Sequence, residues 1–316
     1  MATAVPSVAI VVPAHNRERE ITDALDSLAA QDAGLGGVAA VYLADDCSSD
    51  ATVRVARERW RLDVPFRVIQ PATNQGTYAN ANHAISALRA YDWLLFLHDD
   101  DVACPTWTRV MLDRIRSCPP SVATISSSWN LLHQDGTIEP GEQRGPRQDE
   151  IVTGTPASVR GTLLRGCWWH FSGSAIRTAA YDAIGPFDPA LPQCADWDWI
   201  IRCQERRWDV LYVPESLINY RQHAATVSSR SFRVHRDLRE QLLLVNRYRS
   251  FLEPGDALGL HARVAGALAR RCVSAVLKGR PAAAANAVAL APAVVSSLVR
   301  GSGRHDAPPP ASKLSD

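Results

Sequence analysis

The sequence has almost no excess of charge of either sign. Its 34 Lys and Arg residues balance 33 Asp and Glu residues, which leaves a formal net charge of +1. Bulk electrostatics therefore gives no reason to expect a nucleic acid or a strongly acidic partner. The remaining composition, 46% hydrophobic and 21% charged residues, is typical of globular proteins. At 316 residues the chain is long enough for one large α/β domain or two smaller ones.

The sequence also lacks a regular cysteine pattern and the features of a secretory leader. Its seven cysteines are an odd number without regular spacing, which favours reduced thiols over a disulfide framework. Cys194 and Cys203 lie too far from a second Cys or His pair to indicate a zinc site. The N-terminal residues have no basic segment, and a proline and charges follow early, which argues against a signal peptide. We therefore expect a cytoplasmic protein.

A long hydrophobic run is absent as well. Residues 257–304 contain no acidic residue and are rich in alanine, and Pro292 interrupts their most apolar part. This segment is too weakly hydrophobic to predict a membrane span. Residues 230–300 are predicted to form a helical region, with a disordered tail over residues 301–316. Two roles for the basic helices stay open. One is peripheral contact with the inner face of the cell membrane, and the other is packing on the rest of the chain or homodimerisation.

Strand and helix patterns alternate over the first hundred residues. Short apolar runs predict strands at residues 7–12, 38–44, 66–69 and 94–97. Helical patterns separate them at residues 17–31, 51–60 and 79–90. This alternation predicts an α/β fold with a mostly parallel sheet and helices on both faces. In such a sheet, ligands bind beyond the carboxyl ends of the strands.

Polar residues follow three of these predicted strands. Asn16 follows the first strand, Asp45 and Asp46 follow the second, and the carboxylates Asp99, Asp100 and Asp101 follow the last. Adjacent buried carboxylates need a counter-charge, and a divalent cation with oxygen ligands, Mg²⁺ or Mn²⁺, supplies one. The triplet alone is equally compatible with a metal site and with a solvated acidic turn that caps a helix. Together, the three strand ends predict a pocket for a nucleotide and a metal ion.

The second half of the chain offers weaker signals. Residues 135–161 are rich in Gly, Pro and charge and predict a mobile loop. Trp168 and Trp169 are compatible with a surface that stacks on sugar rings and also with core packing. Asp196 and Asp198 fall near the start of a predicted helix, where capping is the alternative to a chemical role.

The ordered segments SVAIVVPAHNRE, LADDCSSDAT, TNQGTYANAN and FLHDDD resemble the family 2 inverting glycosyltransferases of the GT-A fold, which use nucleotide sugars. The resemblance continues through IGPFDPAL, ADWDWIIRCQERRWDVLYVPES and YRQHAATVS, and covers residues 6–229. It implies a nucleotide-sugar-binding half at residues 1–105 and an acceptor-binding, catalytic half at residues 106–229. It also implies transfer of a sugar from a nucleoside-diphosphate sugar to a hydroxyl of a glycan, a lipid-linked acceptor or a small molecule.

The resemblance also implies roles for individual residues. The donor nucleotide would contact Pro13, His15, Asn16, Asp45, Asp46, Asn74 and Asp99. Which of Asp45 and Asp46 contacts the base stays open. The metal ligands for Mn²⁺ or Mg²⁺ would be Asp100 and His223, with Asp101 in support, and the catalytic base would be Asp196. The acceptor side would include Trp168, Trp169, Gly173, Ser174 and Asp198.

This sequence departs from the family pattern at three positions. His98 stands first in the Asp-x-Asp-Asp signature, Ala81 replaces an Arg before Asn82, and Ala195 replaces a Glu before Asp196. The second change removes a cationic contact to the donor and leaves the nucleotide open. Two rival functions are a metal-dependent nucleotidyltransferase and a non-catalytic carbohydrate-binding protein. A nucleotidyltransferase would need a glycine-rich basic loop after the first strand, and this sequence has none there. A carbohydrate-binding protein would have no need of the Asp triplet or of Asp196.

Overall fold

The computed structural model describes residues 5–142, 145–222 and 234–300. The chain divides into two compact units, Met1–Arg233 and Val234–Asp316. The predicted disordered tail lies outside the described residues.

The first unit begins with four strands that form a parallel group: β1 (Val8–Ala14), β2 (Ala40–Asp45), β3 (Phe66–Ile69) and β4 (Trp93–Phe96). The helices between them are α1 (Ile21–Ala29), α2 (Thr52–Arg59) and α3 (Thr77–Ala87). Every residue of β1, β2 and β4 is buried, as expected for strands covered on both faces. The predicted βαβ alternation is confirmed.

The remaining strands of this unit extend the same sheet: β5 (Val102–Ala103), β6 (Val122–Leu132), β7 (Ile138–Pro140), β8 (Glu150–Val152), β9 (Ala175–Arg177) and β10 (Asp209–Arg221). Its helices are α4 (Trp107–Ser117), α5 (Pro156–Arg165), α6 (Thr178–Ile184) and α7 (Ala195–Glu205). The strand order is β3-β2-β1-β4-β9-β6-β10-β5, with β7 beside β6 and β8 beside β10. Since β9 runs antiparallel to β4 and β6, the sheet is mixed and mostly parallel. The predicted fold class is confirmed.

Residues 135–161 differ from the predicted loop. In the described part of this segment, β7 pairs with β6, β8 pairs with β10, and α5 begins at Pro156. A capping box starts that helix, because the Thr155 hydroxyl accepts a hydrogen bond from the Ser158 N–H at 3.1 Å. Both short strands depend on pairing with long strands distant in sequence, so the local pattern could not predict them.

The described part of the second unit contains three helices, α8 (Arg236–Arg247), α9 (Pro254–Leu277) and α10 (Pro281–Arg300), and a short 3₁₀ turn at Arg249–Phe251. Their shared apolar core includes Leu238, Leu242, Val264 and Leu268. Arg271 on α9 donates two hydrogen bonds to the Asp237 carboxylate on α8, at 2.8 and 2.6 Å. Across the described residues, none of the helices combines the length and the hydrophobicity needed to cross a bilayer.

Candidate active site

A cavity of about 540 Å³ lies at the carboxyl ends of β1, β2 and β4. Four segments of the first half of the unit line the cavity. They are the loop after β1, Asp46, the residues before and at the start of α3, and the residues after β4. The second half contributes His170, Phe171, Pro192, Gln193, Asp196 and Tyr220. The cavity thus brings together segments that are far apart in sequence.

The loop after β1 is held by hydrogen bonds to its neighbours. The His15 N–H donates to Asp99 Oδ2 at 3.0 Å, and the His15 ring donates from Nδ1 to the Asp46 carbonyl oxygen at 2.9 Å. Asn16 adopts a left-handed conformation with φ +53°, which asparagine tolerates better than most residues. Its Oδ1 accepts a hydrogen bond from the Ser49 N–H at 2.8 Å. Asn74 Nδ2 also donates to the Asp46 carbonyl oxygen, at 3.1 Å, so His15 and Asn74 share this acceptor.

The two aspartates after β2 have different positions. Asp46 lines the cavity, and its carboxylate accepts hydrogen bonds from the N–H groups of Gln75 and Gly76 at 2.8 and 2.7 Å. Asp45 is fully buried and is not among the cavity-lining residues; its carboxylate accepts hydrogen bonds from Ser48 and from Gln70. The prediction that Asp45 contacts the nucleotide is therefore not matched by its placement, because its carboxylate holds the following turn.

Two of the three carboxylates after β4, those of Asp99 and Asp101, have strongly raised pKa values. Burial, together with the charge of Asp100, raises the pKa of Asp99 well above its usual range, and the same two causes raise the pKa of Asp101. Arg17 partly offsets this charge, since its Nε lies 4.0 Å from Asp99 Oδ1 and 3.7 Å from Asp100 Oδ2. The triplet is a partly buried acidic cluster and not the solvated turn that the sequence also allowed.

The donor atoms around Asp101 fit a divalent cation. Asp101 Oδ1 accepts a hydrogen bond from the Arg221 N–H at 3.0 Å, whereas the buried Oδ2 has no hydrogen-bond partner among the described residues. One ligand atom from each of His98, Asp100 and Asp101 lies within 4.8 Å of the others. Carboxylate oxygens and an imidazole nitrogen at this spacing suit Mn²⁺ or a related ion. His223, the other predicted ligand, lies outside the described residues.

Asp196 lies in the first turn of α7 and lines the cavity. Burial raises the pKa of Asp196 to about 7, against the opposing effect of hydrogen bonds from the Trp197 N–H, the Tyr78 hydroxyl and the Cys167 thiol. The Trp197 N–H donates to Asp196 Oδ1 at 2.7 Å, so the carboxylate also satisfies one of the free amides of the first helical turn. A carboxylate with a pKa near neutrality is suited to exchange a proton at physiological pH.

Trp168 and Trp169 are core residues. Each has only 1% of its surface exposed. The Trp168 Nε1–H donates to Thr162 Oγ1 and the Trp169 Nε1–H to Thr124 Oγ1, both at 3.0 Å. Buried indoles that have found internal hydrogen-bond partners are part of the packing of the fold. The predicted sugar-stacking surface at these two residues is therefore wrong.

The other predicted acceptor-side residues also lie outside the cavity lining. Gly173 has φ +86°, and a Cβ there would lie 2.3 Å from Ile218 Cγ1, so the position requires glycine. The Ser174 hydroxyl donates to the Phe171 carbonyl at 2.7 Å. Asp198 is fully buried and accepts a hydrogen bond from Arg202 Nε at 2.8 Å. These residues shape the backbone and the charge balance behind the cavity.

Residues 9–150 match the sequence model described as Glycosyl transferase family 2. These residues, which include β1 to β4, belong to a family 2 glycosyltransferase domain. An uncharacterized glycosyltransferase of Haemophilus influenzae is 27% identical over 195 residues, which are 62% of this chain and 61% of that protein. The chain therefore spans about three fifths of the length of this curated relative.

Two solved structures share the fold of the family 2 domain. TarS 1-349 of Staphylococcus aureus in complex with UDP-GlcNAc has a TM-score of 0.57 at 17% identity, over 93% of this chain and 92% of that one. The mannosyltransferase PcManGT of Pyrobaculum calidifontis, in complex with GDP-Man and Mn²⁺, has a TM-score of 0.57 at 13% identity, over 95% and 88% of the two chains. These likenesses support the predicted GT-A fold.

Sequence reasoning missed several residues that line the cavity of the family 2 domain: Arg17, Tyr78, His170, Phe171, Gln193 and Tyr220. His170 stacks on Trp129, with 5.0 Å between ring centroids, and its Nδ1 donates to the Ser172 carbonyl at 2.8 Å. Burial lowers the pKa of His170 to about 4, so the ring is neutral at physiological pH. His170 directly follows the two tryptophans chosen from sequence, but only the structure shows which of these aromatic residues faces the cavity.

Proposed function

We propose that the chain is a metal-dependent inverting glycosyltransferase that moves a sugar from a nucleoside-diphosphate sugar to an acceptor hydroxyl. The observation that carries this proposal is the position of Asp196, whose carboxyl has a pKa of about 7. It lines the same cavity as His15 and Asp46 on the donor side and as Asp99 and Asp100. The proposed proton acceptor, Asp196, therefore lies in the same cavity as the polar and acidic side chains proposed to bind the donor.

The donor nucleotide would occupy the part of the cavity formed by Pro13, His15, Asn16, Asn74 and Asp99. The hydrogen bonds between His15, Asp46 and Asn74 fix this wall in advance. A preformed wall reduces the conformational entropy that ligand binding would otherwise cost. Between the two aspartates left open by the sequence, the placement of Asp46 at the cavity favours it for the nucleotide side.

Asp100 and Asp101 would hold the divalent cation together with His223. When bound, the cation supplies positive charge beside the departing diphosphate. Arg17 lines the same cavity and adds a fixed positive charge near Asp99 and Asp100. This arginine offers a cationic contact from the loop after β1, where the family pattern would have placed one before Asn82.

The Asp196 carboxylate would take the proton of the acceptor hydroxyl as that oxygen attacks the anomeric carbon. The new bond joins the acceptor oxygen to the anomeric carbon, and the bond from that carbon to the diphosphate oxygen breaks. One displacement from the opposite face inverts the anomeric configuration. His170, neutral at physiological pH, and Tyr220 line the cavity with Asp196 and would contact the acceptor.

The test is a panel of nucleotide sugars with Mn²⁺ that includes UDP-GlcNAc and GDP-mannose. The expected result is a raised melting temperature and slow hydrolysis with one donor, and NMR of a transfer product should show an inverted anomeric centre. Asp196→Asn is the matched variant, since it should keep donor binding and lose turnover. A retained anomeric configuration would reject the inverting mechanism, and absence of binding to every donor would reject the proposed function.

A further inference from the structure

His98 is fixed at the edge of the acidic cluster. Its N–H donates to Ser172 Oγ at 3.0 Å, and its ring centroid lies 5.4 Å from that of Phe171. The ring nitrogen Nε2 is buried and has no hydrogen-bond partner among the described residues. A buried polar atom without a partner costs free energy, which points to a group that would satisfy it in the working protein.

A second unsatisfied atom lies beside this ring. Asp101 has no exposed surface, and its Oδ2 has no hydrogen-bond partner within the described part of the chain. His98 Nδ1 lies 3.9 Å from this oxygen. The nearby arginines are directed elsewhere. Arg17 lies close to Asp99 and Asp100, and the Arg221 side chain donates to the Asp100 carbonyl at 2.7 Å and to Asp23 at 2.6 Å.

The spacing of the donor atoms suits a shared ion. One atom from each of His98, Asp100 and Asp101 lies within 4.8 Å of the others. This separation is close to twice a metal–oxygen distance of about 2.0–2.6 Å. A cation among the three would satisfy the unpartnered carboxylate oxygen of Asp101 and give the His98 ring a partner.

We infer that His98 is a ligand of the divalent cation and that it makes the site select Mn²⁺ over Mg²⁺. This inference rests on the metal dependence in the proposed function. Mg²⁺ favours oxygen ligands and retains its water shell. Mn²⁺ also favours carboxylates, but as a transition-metal ion it accepts an imidazole nitrogen more readily than Mg²⁺ does. The departure of position 98 from aspartate thus changes the chemistry of the site and not only its charge.

Pulsed electron paramagnetic resonance of bound Mn²⁺ tests the ligand directly. The samples are the full chain with Mn²⁺ and either UDP or GDP. Because His223 is also a proposed ligand, the comparison uses a His223→Gln background. We expect nitrogen coupling in His223→Gln, its loss in His98→Gln/His223→Gln, and its persistence in His170→Gln/His223→Gln. Coupling that survives the loss of His98, or that depends on His170, would overturn the inference.

A second measurement uses His98→Asp in the parent background and remains informative if the double variants are unstable. The variant places a carboxylate where the family signature has an aspartate, so Mn²⁺ binding should persist. The ratio of Mn²⁺ to Mg²⁺ affinity should fall by at least the roughly tenfold typical for loss of a supporting group at a metal site. An unchanged ratio rejects His98 as a ligand but does not affect the proposed metal dependence. A parent protein that binds no Mn²⁺ with either nucleotide rejects this inference together with the metal dependence of the proposed function.

Discussion

The His15 N–H donates to Asp99 Oδ2 at 3.0 Å, which ties the loop after β1 to the acidic cluster after β4. Asp99→Asn can still accept this hydrogen bond, whereas Asp99→Ala cannot. We expect Asp99→Ala to weaken binding of the nucleoside diphosphate by roughly two- to tenfold, the effect of losing one ordinary hydrogen bond of about 0.5–1.5 kcal/mol. Calorimetry with Mn²⁺ and the nucleotide measures this. Equal affinities for the Asn and Ala variants would show that the hydrogen bond does not organise the donor wall.

The pH dependence of turnover should reveal Asp196. Its carboxylate must be ionised to accept a proton, and its pKa is about 7, so kcat/KM should rise as pH increases through that value. Asp196→Asn should lose this limb, with a fall in rate of roughly a hundredfold to ten-thousandfold. The measurement is a set of initial rates between pH 5 and pH 9, beside a donor titration of the same variant. An Asn variant with near-parent rates would reject Asp196 as the base.

Asp101 should destabilise the metal-free protein as pH rises. Its pKa is raised in the folded state, so the folded protein retains a proton that the unfolded chain loses above about pH 4. The free energy of unfolding of the parent should therefore fall, relative to that of Asp101→Asn, as pH increases from 4 to 8. Denaturant titrations in EDTA at several pH values measure the difference. If the free energies of unfolding of the two proteins changed in parallel with pH, the raised pKa of Asp101 would be contradicted.

Trp168 offers a test of packing against sugar contact. Because it is buried, Trp168→Ala should lower the free energy of unfolding by about 3–5 kcal/mol. Trp168→Phe keeps a ring and loses the hydrogen bond to Thr162, so its cost should be smaller, with donor and acceptor KM near the parent values. A stable Ala variant with a selectively raised acceptor KM would restore the role predicted from sequence.

The second unit provides a prediction about lipid binding. Helix α9 exposes Leu258, Val273, Val276 and Leu277, with Leu277 at 81% exposure, and residues 257–304 carry no acidic side chain. Each exposed cation contributes about 1 kcal/mol near an anionic membrane. We expect the protein to float with anionic vesicles at low salt and to dissociate at high salt. Replacing Arg270, Lys278 and Arg280 by Glu should abolish flotation, and a parent protein that ignores anionic vesicles would favour packing or dimerisation.

The strands that position the donor side could be predicted because their information is local. The apolar runs around Ile10, Val41 and Leu95 have the length of buried strands, and polar residues mark where each strand ends. The Asp triplet was found in the same way, whereas Asp196 was chosen through the family resemblance, which also supplied the roles of the triplet. The structure places Asp99, Asp100 and Asp196 around one cavity.

The acceptor side could not be predicted because its residues depend on distant contacts. A run of aromatic residues does not show which ring faces the core, and here Trp168 and Trp169 do, whereas His170 lines the cavity. Asp198 resembles Asp196 in sequence, but the helical turn directs it to Arg202. The strands β7 and β8 exist through pairing with β6 and β10, which no local pattern encodes.

The reversed direction of β9 has a consequence for how the cavity can change in evolution. Since β9 runs against β4, its amino end meets the carboxyl end of that strand, and Phe96 exchanges hydrogen bonds with Gly173 and Ser174 at this junction. The segment that leads into β9 therefore arrives at the cavity from the opposite chain direction to the donor loops. An insertion before His170 would alter the proposed acceptor wall without lengthening any loop of the proposed donor wall, so the two walls can change on separate stretches of the gene.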